Sequence, residues 1–323
     1  MRKTINKERI EGRHYDMSQL ALKTVQNSDS EHFGQEYIGG SIDIATDDDC
    51  LNIVTVRFTF IQPTYKSGKV NNTFGVLKNI IENGKTVLAD GKDLATMVRI
   101  DASLALNDFY TQRNGEEVLV SAKTNNGSFA NIVSKLADED ARNTFQCDML
   151  INGTRYVEAD EEKNIKEDYL VVKGAVFDFR NAILPVEFVV RNKGGIKYFE
   201  SLDASPSNLV FTKVWGKINS ETIIDRREEE SAFGEPAIKE YSRTIREWVI
   251  TGTSKPEAVY EVGDTENGIT AEEIKKAAAD REVYLAEVKK RADEYQATKS
   301  ANEGLPFTDD KAAAPAAQGG FTF

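Results

Sequence analysis

A period-two alternation of apolar and polar residues is the feature that most restricts what this chain can fold into. In LNIVTVRFTFIQP, Val54, Val56, Phe58 and Phe60 fall on one face and Thr55, Arg57 and Thr59 on the other. β-Branched and aromatic residues at that period make a half-buried strand, which assigns Phe58 and Phe60 to a core. A turn at Ser67-Gly68 ends the run, and Phe74, Leu77, Ile80 and Ile81 then recur at helical spacing until Asn83-Gly84. The next segment, TMVRIDASLAL, alternates again. Asn114-Gly115 is a tight hairpin signal, and EEVLVSA is the return strand.

A second series of strand signals follows: NTFQCDMLI, TRYVEAD, DYLVVKGAVFDF, ILPVEFVVRN, IKYFES and NLVFTKVWGKI, with YSRTIREWVITGT beyond a charged loop. Two small barrels with Greek-key connections account for this order, and the OB-fold is the common version, with sandwich and other small-barrel topologies as rivals. The fold class is therefore mainly β: tandem OB-like small barrels, then a C-terminal helix and a disordered tail. The expected divisions are an N-terminal arm at 1–34, a first barrel at 35–137, a second β unit at 138–253, a linker and amphipathic helix at 254–299, and a tail at 300–323. The helix opens on a capping box, Thr270 with Glu273, and its seam runs through Ile274, Ala278, Arg281, Leu285, Val288, Ala292 and Tyr295, where Arg281 argues against a coiled coil.

Charge and composition narrow the function. The 323 residues hold 41 Lys and Arg against 53 Asp and Glu, a net charge of -12, with most of the excess acid in the second half. A uniformly basic coat is excluded, but a basic groove in the first half is not. Two histidines, His14 and His32, and two distant cysteines, Cys50 and Cys147, do not supply a zinc site or a catalytic triad, so no metal, cofactor or catalytic residue is expected. The Asp47-Asp48-Asp49 run reads as a solvated turn. No run approaches the ~18 apolar residues of a membrane span. The N-terminal MRKTINKERIEGRHYD has no apolar segment of a secretory signal, so the expected location is cytoplasmic, without membrane contact.

Phe74 to Ala122 resembles the middle of bacterial-type single-stranded DNA-binding proteins. A short helix, Phe74–Asn83, leads through Gly84–Lys92 to the strand Met97–Tyr110, a hairpin, and Glu116–Ala122. The preceding IDIATDDDCLNIVTVRF would supply the early strands. The resemblance implies a non-enzymatic protein that binds single-stranded DNA in replication or recombination, in a tandem-barrel form fitting a phage and hence a host cytoplasm. It also implies a C-terminal tail that recruits partner proteins, here through Leu305, Pro306 and Phe307 or through Phe321 and Phe323. A virion or assembly protein making protein–protein contacts is the alternative; an enzyme acting on DNA finds no supporting set of acids.

Sequence-independent binding of a single strand needs cations for phosphates and exposed rings for unstacked bases. The candidates are Arg57, Tyr65, Lys66, Lys69, Arg99, Lys123 and the hairpin residues Phe109, Tyr110 and Arg113. Lys213 and Trp215 are the candidates in the second unit, although Trp215 shares its parity with Phe211 and core packing is the better reading for it.

Overall fold

The computed structural model describes residues 3–16, 19–113, 115–161, 165–229, 237–260 and 268–303. Asn114 and the tail candidates Leu305, Pro306, Phe307, Phe321 and Phe323 lie outside the described residues. By compactness the chain divides into Met1–Asn107 with Ser121–Glu282, and Asp108–Val120 with Val283–Phe323.

The larger unit is mainly β, and its strands close into two rings. The first ring comprises β1 (Asn6–Asp16), β3 (Glu36–Ala45), β4 (Ile53–Ile61), β5 (Met97–Arg113) and β6 (Glu116–Ile132), with β2 (Ala21–Thr24) added at the edge of β3. β1 pairs antiparallel with both β3 and β5, β3 with β4, and β4 runs parallel to β6 at Val56–Asn125. Taken in chain order, the neighbours are first, second, third, fifth, fourth and first again, which closes a five-stranded barrel. Helix α1 (Asn72–Asn83) and the single turn α2 (Val87–Asp90) separate the third and fourth strands. Asn71 caps α1 by accepting the Thr73 N–H, and Phe74, Leu77 and Ile80 face the core as the spacing predicts.

The second ring repeats that order with β7 (Asn143–Val157), β8 (Tyr169–Phe177), β9 (Ile183–Val190), β10 (Val210–Glu229) and β11 (Ala237–Thr253). β9 and β11 are its parallel pair, and α3 (Lys193–Ser201) stands where α1 stands in the first ring. IKYFES, expected as a strand, is part of this helix. Asn192 accepts the Gly194 and Gly195 N–H groups, and Ile196 and Phe199 bury at a spacing of three. The segments NTFQCDMLI and TRYVEAD are one strand, β7, bent by a register shift at Gly153.

The N-terminal segment expected as an arm supplies β1, the first strand of the first ring, and also joins the rings. Asn6 to Ile10 pair with Cys147 to Asn143 of β7, while Glu8 to Arg13 pair with β5. At the point where β1 crosses from β5 to β3, a Cβ on Gly12 would lie 2.0 Å from the Ala45 carbonyl oxygen. Gly12→Ala should therefore cost about 1–3 kcal/mol or more, because a backbone atom must give way. Urea unfolding checks this; an unchanged midpoint would show that the β1–β3 closure is looser than described.

After the short parallel pair β12 (Ala258–Tyr260) and β13 (Gly268–Thr270), helix α4 (Ala271–Glu303) begins. The capping box forms as expected: the Thr270 hydroxyl accepts the Glu273 N–H at 3.1 Å, and the Glu273 carboxylate accepts the Thr270 N–H at 2.9 Å. Ile274 and Ala277 pack with Leu150, Phe177, Phe211 and Ile269, so the start of α4 covers one end of the outer face of the second ring. Among the described residues no helix is long and apolar enough to cross a membrane.

Candidate nucleic-acid interface

The first ring presents its second and third strands, β3 and β4, outward. Arg57 stands exposed on this face, opposite Ser41 of β3 and Asn126 of β6. Phe58 is buried, as its parity requires, and its ring packs where Gly127 carries no Cβ. Phe60 is not in the core. Between the pairs Ile38–Ile61 and Gly40–Phe58 one residue of β3, Gly39, faces two of β4, Thr59 and Phe60. That bulge turns Phe60 outward, 39% exposed, against period-two expectation.

The turned-out ring packs at a tilt against its neighbours. Phe60 lies 4.6 Å from Tyr37 and 5.7 Å from His32, centroid to centroid. Tyr37 is paired in register with Lys23 of β2, so the rings sit between two exposed cations, Lys23 and Arg57. Gln62 fixes the edge of the patch by donating to Gln35 at 2.9 Å. Lys23, His32, Tyr37 and Phe60 are absent from the sequence-derived candidates. The only sequence signal for them is an aromatic at the end of a strand facing a Gly39-Gly40 pair.

The loop after β4 continues from this patch. Gly68, at φ 78, lets the chain turn so that the Tyr65 N–H reaches the Lys69 carbonyl and the Gly68 N–H reaches the Tyr65 carbonyl, both at 2.8 Å. Tyr65, 45% exposed, and Lys66 and Lys69 project from it. Among the described residues Lys23, Arg57, Lys66 and Lys69 make no ion pair.

The remaining candidates lie on other elements. Arg99 is opposite Glu11 on the β1–β5 side, in an open depression with Arg9 and Lys135. Lys123 is not a free cation: its amine donates to the Glu187 carbonyl at 2.8 Å and lies 4.7 Å above the Trp248 ring, and burial lowers its pKa. In the smaller unit Phe109 and Arg113 are exposed, while Tyr110 lies 5.1 Å beneath the Lys289 amine of α4, which also pairs with Glu117 and Asp293. In the second ring Trp215 is 40% exposed rather than core, and Lys213 is half-buried beside it in sequence. There the corresponding strands carry compensated charges, with Lys173 against Glu187 and Arg191 between Glu167 and Glu247.

The acidic run 47–49 forms the turn between β3 and β4, with Asp48 and Asp49 exposed. Asp47 accepts the Leu51 and Asn52 N–H groups, and Asp48 pairs with Arg142 at 2.7 Å and Arg13 at 3.4 Å. The Arg142 hydrogen bond and charge, with a smaller share from Arg13, hold the Asp48 carboxyl below its ordinary range. Among the described residues no three His, Cys, Asp or Glu side chains stand together as a metal site.

A family model described as YorF matches residues 6–291. No curated protein matches the chain. Among solved structures, the wild-type single-stranded DNA binding protein from Thermus aquaticus aligns over 81% of this chain and 98% of its own, at 8% identity and a TM-score of 0.45. A deletion mutant of that protein aligns over 82% of this chain and 100% of its own, at 9% identity and a TM-score of 0.44.

Proposed function

The chain belongs to the YorF family, and we propose that it is a non-enzymatic protein that coats single-stranded DNA without regard to sequence. The observation that carries this reading is the Tyr37–Phe60 pair on β3 and β4, with Lys23 and Arg57 on either side. The second and third strands are the face on which OB barrels hold oligonucleotides. An exposed Phe60 beside a half-buried Tyr37, with cations that make no ion pair among the described residues, fits unstacked bases joined by phosphates. Tyr65, Lys66 and Lys69 extend the same surface past the end of β4. The net negative charge of the chain is compatible with this, since acids elsewhere discourage DNA from other surfaces.

On this reading the chain comprises two β units that divide near residue 138, and it serves replication or recombination in the cytoplasm of a cell or an infected host. Its C-terminal Phe-bearing tail recruits replication or recombination proteins. Support for the tail role comes from the sequence alone.

Fluorescence anisotropy with labelled oligo-dT tests the reading. Binding is expected at low salt and should weaken as salt rises. Phe60→Ala should weaken it by about 1–3 kcal/mol, roughly 5- to 150-fold. Arg57→Ala should reduce the slope of log affinity against log salt by about 0.7. No binding at ~50 mM salt, well below the range in which phosphate contacts are screened away, would sink the proposal. So would binding indifferent to salt, and salt-insensitive multimers without DNA affinity would favour an assembly role.

A further inference from the structure

The rings share a seam, and its outer face carries an aromatic surface that the first-ring patch does not use. Trp215 of β10 is opposite Gln146 of β7, and Gln146 is opposite Lys7 of β1. All three point away from the core, because the next residue on each strand (Gly216, Phe145 and Glu8) is buried. Strands are spaced by about 4.8 Å, so Trp215 and Lys7 sit about 10 Å apart across β7.

The indole is laid flat by a glycine. A Cβ on Gly252, its partner on β11, would lie 2.4–2.7 Å from the Trp215 ring. Any other residue there would push the ring up from the sheet. With glycine the ring rests on backbone and shows one face to solvent. Lys213 lies two residues away on the same side of β10, and neither Lys7 nor Lys213 makes an ion pair among the described residues. Asp148, opposite Lys213, is buried and accepts the Ile5 N–H at 2.7 Å.

The geometry points to a second single-strand contact at this seam, in which Trp215 stacks on one base and Lys7 and Lys213 hold the neighbouring phosphates. This rests on the DNA-binding reading above and adds a place where the strand passes from one ring to the other. Of the ligand classes open to it, an unstacked nucleotide chain is the one that needs a bare ring face and flanking cations together.

The two tryptophans make the test direct, since Trp248 is 1% exposed and Trp215 is open. Oligo-dT should quench the tryptophan emission of the full chain, and Trp215→Phe should abolish the quenching while anisotropy still reports binding. Trp215→Ala should weaken binding of long oligo-dT at least fivefold, and Lys7→Ala should lower its salt slope. Unchanged Trp248 emission in both Trp215 variants verifies that they are folded. If anisotropy reports binding but wild-type emission does not move, or Trp215→Ala binds as tightly as wild type, the seam contact is wrong and the first-ring patch stands. If oligo-dT does not bind at all, both fall. Quenching that follows protein concentration without DNA would assign the ring to a second copy of the chain and overturn the proposal.

Discussion

Glu8→Gln should abolish a fall in stability that the parent protein shows as pH rises toward 8. Glu8 lies on β1 with its side chain toward the core, between Phe145 and Trp248. One carboxyl oxygen accepts the Trp248 indole N–H at 2.8 Å, and the other has no hydrogen-bond partner among the described residues. Burial pushes the carboxyl pKa up to about 8, and the Trp248 bond pulls it back only in part. Between 4.5 and about 8 the folded chain keeps a proton that the unfolded chain has released, so stability falls with rising pH by about 1.4 kcal/mol per unit. Across the window this sums to on the order of 4 kcal/mol.

His14 acts with the opposite sign. It is fully buried on the same strand, and burial holds its pKa below the ordinary value of 6.5 against a smaller upward pull from Asp16 and Asp43. Its contribution is present above 6.5 and is lost as pH falls through its lowered folded value. The two therefore oppose each other at acid pH, and Glu8 acts without that opposition between 6.5 and 8. Urea unfolding of parent and Glu8→Gln at several pH values in that interval separates them. A glutamine side chain at this position keeps an acceptor for the indole but cannot ionise, so the variant's stability should stay level there; parallel curves for the two proteins would refute the assignment.

The sequence and the structure agree where local signals dominate. The α1 helix, the β5–β6 hairpin and the Thr270–Glu273 cap depend on residues within a few positions of each other. They disagree where distant partners decide. MRKTINKERIEGRHYD gives no clean alternation, because Glu8, Glu11 and His14 are buried on β1. Only pairing with β5 and β7, about 90 and 140 residues away, makes it a strand. Phe60 follows the core parity until a two-against-one bulge reverses it, and that needs the register of β3. Trp215 looks like core beside Phe211, yet the two part company at the helix: α4 covers Phe211 and leaves Trp215 on Gly252. Lys123 looks like a solvated cation because nothing local announces the carbonyl of Glu187 or the ring of Trp248. The β3–β4 face proposed to hold DNA was thus legible as a strand with Arg57, and its ring pair was not.

The largest single loss is expected at Trp248, which holds the rings together from the side of the second. It sits on β11, is opposite Ile218 of β10, and reaches across the seam to Glu8 of β1. Trp248→Ala should cost about 3–5 kcal/mol through the cavity alone. It also leaves both Glu8 oxygens without a bond and removes the ring beneath the Lys123 amine. Trp248→Phe keeps most of the volume and removes the N–H, so it isolates the orphaned carboxyl, at about 1–3 kcal/mol. Because the indole bond lowers the Glu8 pKa, its loss should also move the alkaline limb of the stability curve above 8. Combining Trp248→Phe with Glu8→Gln completes a double-mutant cycle, in which a coupling of about 0.5–3 kcal/mol is expected. Additive effects, with an alkaline limb unmoved by Trp248→Phe, would mean that the bond across the seam contributes nothing to holding the two rings together.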